Sequence, residues 1–156
     1  MIEWVLLDVD GILTDGAVYV DASGGETKRI LFDDIDAIFE LRRAGVKIGF
    51  ITGEDNEFCQ YVQRRFSPDF FIGGCKDKLA ACKTLIEETG LSPDKICYAG
   101  DSKRDIELLS FASLSFAPAD VDSKVQSSAK VLLKSGRGKG VIKELAEFVL
   151  KKNRSV

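Results

Sequence analysis

Residues 4–11 read WVLLDVDG, and this stretch decides the fold that the sequence predicts. Residues 4–9 form a short run rich in Val and Leu that stops at Asp8 and Asp10, which is typical of a strand buried on both faces of a parallel sheet. The strand would present these two carboxylates at its carboxyl end. Gly11 can break the pleat there, which would let the carboxylates diverge.

Further apolar runs alternate with segments of helical periodicity along the rest of the chain. The runs predicted as core strands are residues 46–51, 70–72, 96–99, 114–116 and 131–133. Strands and helices that alternate in this way indicate βαβ units. A β-hairpin is predicted at residues 17–32, directly after the first strand. The predicted fold class is α/β, with a doubly wound and mostly parallel sheet.

The length and charge of the chain bound its class. At ~100 to 200 residues per domain, 156 residues predict one domain spanning residues 1–156. Lys and Arg number 22 against 25 Asp and Glu, and the net charge of -3 argues against nucleic acid as a partner. The count of His is 0, which excludes Ser-His triads and imidazole acid/base chemistry. We therefore expect a small-molecule partner.

The sequence also bears on location. Residues 1–5, MIEWV, form an apolar run that is too short for a signal peptide, and Glu3 already places an acidic residue in it. No stretch approaches the ~18 apolar residues of a membrane span. The cysteines form no Cys-x-x-Cys pair, so neither a zinc knuckle nor a disulfide framework is indicated. We expect a cytoplasmic protein without a membrane partner.

Carboxylate, hydroxyl and ammonium groups follow the ends of the predicted strands. In such sheets, ligands bind beyond the carboxyl ends of the strands, where the strand order switches direction. These positions hold Asp8, Asp10, Thr52, Gly53, Lys78, Asp101 and Asp105. Carboxylates packed closely need a cation, and oxygen ligands without His or Cys favour Mg²⁺. The predicted metal ligands are Asp8, Asp10, Asp101 and Asp105.

Such a site suits phosphoryl transfer through an aspartyl-phosphate intermediate. Asp8 is the predicted nucleophile, and Asp10 would protonate the leaving alkoxide and then activate water. The Thr52 hydroxyl and the Gly53 amide would hold phosphate oxygens, and Lys78 would supply a positive charge. An Asp-x-Asp pair alone is common by chance, so the order of the motifs along the chain carries this hypothesis.

Residues 8–16, DVDGILTDG, resemble the first motif of the haloacid dehalogenase superfamily of phosphatases. The later motifs match in order at residues 51–53, at Lys78 and at residues 100–105. The Leu-Thr-Asp-Gly extension, the early hairpin and the lack of an inserted cap resemble the 3-deoxy-octulosonate 8-phosphate phosphatase group and its nine-carbon relatives. The resemblance implies a Rossmann-like core without a cap domain, Mg²⁺ dependence and a homotetramer in which a neighbouring subunit covers each site.

The resemblance also concerns the substrate. Glu54 stands where the octulosonate group usually carries Arg and where relatives acting on 2-keto-3-deoxynononate 9-phosphate carry Glu. Arg65 stands where those relatives have a basic residue, and Arg137 lies in a turn that resembles the group's Gly-Gly-Arg-Gly turn. The predicted substrate contacts are therefore Gly53, Glu54, Arg65 and Arg137. The predicted substrate is the phosphomonoester of a 3-deoxy-2-keto sugar acid, either 3-deoxy-D-manno-octulosonate 8-phosphate (KDO-8-phosphate) or 2-keto-3-deoxynononate 9-phosphate (KDN-9-phosphate).

Departures from the group's motifs leave alternatives open. Residues 34–38 lack two glycines of the group's pattern, and Ser102 replaces an aspartate. A catalytically weak relative, serving as an oligomerising or regulatory partner of a sugar-nucleotide enzyme, is one alternative. A receiver-like phospho-acceptor domain is another, although its acceptor aspartate would follow a later strand. Asp33, Asp34 and Asp36 suggest either a second metal site or capping of a helix start.

Overall fold

A parallel sheet of six strands and a separate two-stranded hairpin make up the β structure of the computed structural model, which describes residues 1–156. The strands are β1 (Trp4–Leu7), β2 (Tyr19–Val20), β3 (Glu26–Thr27), β4 (Lys47–Ile51), β5 (Phe70–Ile72), β6 (Ile96–Ala99), β7 (Leu114–Ala117) and β8 (Val131–Leu132). The helices are α1 (Phe32–Arg43), α2 (Glu57–Phe66), α3 (Lys78–Thr89), α4 (Ile106–Phe111), α5 (Ser123–Ser128) and α6 (Val141–Arg154).

The strand order of the sheet is β5-β4-β1-β6-β7-β8, with β1 in the interior. Leu7, the last residue of β1, pairs with Phe50 of β4 on one side and with Ala99 of β6 on the other. The chain winds outward from β1 to β5 and then returns to β6, so the direction of winding switches at β1. The predicted α/β class and doubly wound sheet, without a cap domain, are confirmed.

Helices bury both faces of the sheet. Val5 and Leu7 of β1 belong to the apolar layer under α1, α2 and α6, whereas Trp4 and Leu6 belong to the layer under α3, α4 and α5. Successive side chains of a strand point to opposite faces, so every residue of β1 enters one core or the other. This is why β1 reads as an unbroken apolar run in the sequence.

Two predicted boundaries differ from the structure. The first strand ends at Leu7, because residues 9–13 fold into a tight turn with Gly11 at φ 85°. The hairpin is shorter than predicted, since only Tyr19–Val20 and Glu26–Thr27 pair and Phe32 already begins α1. None of the helices combines the length and the apolar character needed to cross a membrane.

The buried carboxylate of Asp34 joins α1 to α6. Its Oδ1 accepts a hydrogen bond of 2.9 Å from the backbone N–H of Lys143, in the first turn of α6. The residue before α6 is Gly140, which has no side chain to cap the helix. Asp34 therefore caps a neighbouring helix rather than the start of its own, and it fixes the loop that leads into α6.

We predict that Asp34→Ala lowers the free energy of unfolding by about 1 to 2 kcal/mol, because it leaves the backbone N–H of Lys143, in the first turn of α6, without its side-chain acceptor. Urea unfolding followed by circular dichroism measures the change. Asp36→Ala is the control, since Asp36 is exposed on the same helix. Equal unfolding midpoints for the two variants would show that the contact between α1 and α6 does not depend on this carboxylate.

Candidate active site

Asp8 lies directly after β1, the strand at which the direction of winding of the sheet switches. Its backbone N–H donates to the carbonyl of Ala99, and its Oδ1 accepts from the N–H of Val9 at 2.8 Å. The turn that follows brings Gly11 against Asp101, so closely that a Cβ on Gly11 would lie 1.8 Å from Asp101 Oδ2. Glycine is required here by both the positive φ and the close approach of the loop after β6.

Lys78, the first residue of α3, lies buried between two aspartates. Its Nζ is 3.0 Å from Asp8 Oδ1 and 2.7 Å from Asp105 Oδ1. Asp77 caps the helix by accepting from the N–H of Ala80, which places the lysine at the helix start. Burial would lower the pKa of Lys78, but the charges of Asp8 and Asp105 outweigh it and raise the pKa. The lysine is therefore a fixed positive charge.

The acceptor positions of Asp105 are all used within the chain. The side chain is 0% exposed, and Oδ1 accepts from Lys78 and from the hydroxyl of Tyr98, the latter at 2.5 Å. Oδ2 accepts from the N–H groups of Asp101 and Ser102 at 2.9 and 3.0 Å. Burial raises the pKa of Asp105, but Lys78 and these hydrogen bonds lower it overall. Asp105 thus holds Lys78 and shapes the loop after β6.

Oxygens of Asp8, Asp101 and Asp105 lie within 4.8 Å of one another. Burial and the charge of Asp105 raise the pKa of Asp8 well above its usual value, despite Lys78. Burial and Asp105 also raise the pKa of Asp101, to about 6. The cluster holds more negative charge than the single lysine neutralises, and all its donors are carboxylate oxygens. These residues fit a hard divalent cation such as Mg²⁺.

A small cavity of about 170 Å³ opens onto this cluster, and no hydrophobic residue lines it. Its lining comprises Asp8, Asp10, Gly16, Thr52, Gly53, Glu54, Lys78, Asp101, Ser102 and Arg104. Thr52 is buried at the end of β4, and its Oγ1 accepts from the N–H of Glu54 at 3.2 Å, which leaves the hydroxyl hydrogen free to donate. We call this cavity the polar pocket. It brings together seven residues that the sequence predicted for the site.

Sequence reasoning did not select Ser102 and Arg104, although both lie in the motif at residues 100–105 that it identified. It also missed Lys28, whose Nζ is 2.8 Å from Asp10 Oδ1. Lys28 lies just after β3 in the hairpin, and nothing in its local sequence distinguishes it from a surface lysine. The Asp10 carboxylate is outside the close cluster of Asp8, Asp101 and Asp105.

The remaining predicted residues do not line the polar pocket. Arg65 lines a larger cavity of about 940 Å³ between the hairpin and α2, which we call the hairpin cavity. Lys28 lines this cavity as well, so its side chain lies between the two spaces. Arg137 Nη1 is 3.6 Å from Asp101 Oδ2 of the same chain, and its backbone N–H donates to Asp120 Oδ1 at 2.9 Å.

Comparison with known proteins identifies the family. The sequence family model of the haloacid dehalogenase-like hydrolases matches residues 62–145, which is more than half of the chain. The 3-deoxy-D-manno-octulosonate 8-phosphate phosphatase KdsC of Haemophilus influenzae is 29% identical over 149 residues, covering 96% of this chain and 83% of that protein. The phosphatase of the same name from Escherichia coli K12 is 26% identical, with 96% and 79% covered.

Solved structures agree with these relatives. The cobalt-bound octulosonate 8-phosphate phosphatase of Haemophilus influenzae superposes with a TM-score of 0.89 and 29% identity, covering 96% of this chain and 88% of that chain. A crystal structure of the phosphatase from Moraxella catarrhalis, in complex with magnesium, phosphate and KDO, gives a TM-score of 0.90 and 25% identity, with 96% and 86% covered.

These relatives favour the phosphatase interpretation over the receiver-like and regulatory alternatives. The predicted enzyme class, a phosphoric monoester hydrolase, agrees with them, and the predicted resemblance to the octulosonate phosphatase group is confirmed. The chain belongs to the haloacid dehalogenase-like hydrolases.

Proposed function

We propose that this chain is a Mg²⁺-dependent phosphatase that hydrolyses the phosphomonoester of a 3-deoxy-2-keto sugar acid, of the KDO-8-phosphate or KDN-9-phosphate type. The observation that carries the proposal is the Asp8 carboxylate, held 3.0 Å from the Lys78 ammonium in a pocket without hydrophobic lining. The names of the relatives, and the KDO and phosphate bound to one of them, support the substrate class.

The proposed reaction proceeds in two displacements at phosphorus. Val9 and Lys78 hold Oδ1 of Asp8, so Oδ2 attacks the phosphorus and the bond to the sugar oxygen breaks. Asp10 gives its proton to that oxygen, and the sugar acid leaves as an alcohol. Asp10 then takes a proton from water as the water oxygen attacks the aspartyl-phosphate, which releases phosphate and restores the Asp8 carboxylate.

Positive charge and hydrogen-bond donors stabilise the transferring phosphoryl group. Lys78 presents a positive charge that does not depend on substrate, since Asp8 and Asp105 already hold it in place. The Thr52 hydroxyl and the Gly53 amide line the same pocket and would donate to phosphate oxygens. These groups are in position before substrate enters, so little reorganisation accompanies the reaction.

Asp8 and Asp101 would hold the metal ion, because their carboxylates combine raised pKa values with an all-oxygen donor set. When bound, Mg²⁺ supplies positive charge against the phosphate oxygens. Asp105 was also predicted as a ligand, but we now assign it to positioning Lys78, because its oxygens accept from donors of the chain. Asp10 pairs with Lys28 instead, so we keep it as the acid and base alone.

The sugar acid would extend from the polar pocket toward the hairpin cavity. Glu54 lines the polar pocket and suits the sugar hydroxyls, whereas Arg65 lines the hairpin cavity and suits the carboxylate. Arg137 lies beside Asp101 and would meet the phosphate end. This arrangement separates recognition of the phosphate from recognition of the acid.

The hairpin also bears on assembly. Tyr19 and Val20 of β2 are 54% and 60% exposed, and the hairpin has only two strands. Exposed apolar side chains on an unpaired strand edge are typical of an association surface. We therefore propose that a neighbouring subunit contacts the hairpin and closes the site, in the homotetramer that the resemblance to the octulosonate phosphatase group implies.

We predict that Asp8→Asn lowers the rate of phosphate release by at least about a thousandfold, because an amide cannot form the phosphoryl intermediate. Mass spectrometry of acid-quenched reactions should detect aspartyl-phosphate in the unaltered chain and none in the variant. Asp36→Asn, which changes an exposed aspartate remote from the site, should keep full activity. Appreciable hydrolysis by Asp8→Asn would contradict the assignment.

We predict that Asp101→Asn raises the melting temperature by several degrees at pH 8 in EDTA. The folded pKa of about 6 exceeds the unfolded value near 3.8, so ionisation of Asp101 destabilises the metal-free fold; this cost grows between about pH 3.8 and pH 6, is complete above that range and is absent below it. The same variant should lose the increase in melting temperature that Mg²⁺ gives the unaltered chain. Differential scanning fluorimetry measures both, and an unchanged Mg²⁺ effect would exclude Asp101 as a ligand.

We predict that Arg65→Ala raises KM at least tenfold for eight- or nine-carbon keto-acid phosphates and leaves kcat/KM for p-nitrophenyl phosphate within twofold. The reason is that only the sugar acids carry a carboxylate for Arg65 to bind. Arg43→Ala, at the exposed end of α1, is the control. Equal losses of kcat/KM on the keto-acid phosphates and on p-nitrophenyl phosphate would show that Arg65 has no part in recognising the acid.

A further inference from the structure

Lys28 carries a largely buried ammonium group that has no role in the proposed reaction as described above. Its side chain is 9% exposed, and its Nζ lies 2.8 Å from Asp10 Oδ1. The Lys28 Nζ also lies 5.1 Å from the ring centroid of Phe58. A lysine ammonium is strongly hydrated, so burial on this scale requires a partner of opposite charge. Asp10 and the face of Phe58 supply that partner and a supporting surface.

The contact involves one oxygen of Asp10 only. Oδ1 accepts from Lys28, and the Thr14 hydroxyl lies 3.5 Å away from the same oxygen. Oδ2 accepts no hydrogen bond from the chain, while Asp10 lines the polar pocket. The ion pair therefore fixes the orientation of the carboxylate and keeps its second oxygen available to a reacting group.

We propose that Lys28 is the positioning residue of the general acid, an inference that rests on the proposed function. As the phosphorus–oxygen bond breaks, the proton on Asp10 passes to the leaving oxygen and Asp10 becomes a carboxylate. The ammonium of Lys28 lies beside the negative charge that Asp10 then acquires. Charge that develops next to a cation already held in place is stabilised with little reorganisation, so transfer of the proton to the leaving oxygen is favoured.

Lys28 also links two parts of the chain. It follows β3 in the hairpin, whereas Asp10 belongs to the turn after β1 and Phe58 to α2. The hairpin thus contributes a positive charge to the site and also lines the hairpin cavity. Because Lys28 contacts both Asp10 and Phe58, the position of the hairpin relative to α2 determines the orientation of the general acid.

The test is the dependence of kcat/KM on the leaving group, measured with p-nitrophenyl phosphate and phenyl phosphate in the presence of Mg²⁺. Nitrophenolate leaves without protonation, whereas the more basic phenolate depends on the acid. Lys28→Met keeps the length of the side chain and removes its charge. We expect about a tenfold loss of kcat/KM for phenyl phosphate and less than a twofold loss for p-nitrophenyl phosphate.

Lys47→Met is the matched control, because Lys47 also lies over an aromatic ring, that of Trp4, but at the opposite end of the sheet. It should change neither substrate. Lys28→Gln removes the charge with a polar side chain and should repeat the discrimination if methionine disturbs the fold. Equal losses on both substrates, or no loss, would overturn the role of Lys28. Absence of hydrolysis of eight- and nine-carbon keto-acid phosphates by the unaltered chain would instead refute the proposed function.

Discussion

The ion pairs of the buried Lys78 ammonium with Asp8 and Asp105 are the interactions on which the rest of the site depends. The ammonium lies between Asp8 and Asp105, which belong to loops after two neighbouring strands, and it neutralises charge that burial would otherwise make costly. Removing one member of a buried ion pair typically costs about 3 to 5 kcal/mol, because the other charge is left uncompensated. Asp77 caps α3 and Tyr98 donates to Asp105, so the lysine and one of its two partners are themselves held in place.

Three carboxylates of the polar pocket each have a cation from a different part of the chain. Lys78 of α3 pairs with Asp8, Lys28 of the hairpin pairs with Asp10, and Arg137 of the loop before α6 lies near Asp101. The pairs hold the acidic groups apart and at fixed orientations. The raised pKa values of Asp8 and Asp101 show that this compensation is incomplete, which suits a site that binds a divalent cation.

Local patterns predicted the sheet and the residues at its carboxyl edge. β1, β4 and β6 are short apolar runs, and the polar residues after them converge because parallel strands end at one edge. Local patterns did not predict the contacts that Asp105 and Lys28 make. In the structure the loop folds back so that the Asp105 carboxylate accepts from backbone N–H groups, and Lys28 reaches the site through a contact across the hairpin. Neither contact leaves a periodic signal in the sequence.

The central place of β1 in the sheet has a consequence for synthesis of the chain. β1 pairs with β4 and with β6, and the loop after β6 supplies Asp101 and Asp105. A nascent chain that has not yet released β6 from the ribosome has half of its central strand unpaired and Lys78 without one of its carboxylates. Contacts between distant segments form late in folding, so catalytic competence would arise only after most of the polypeptide has been made.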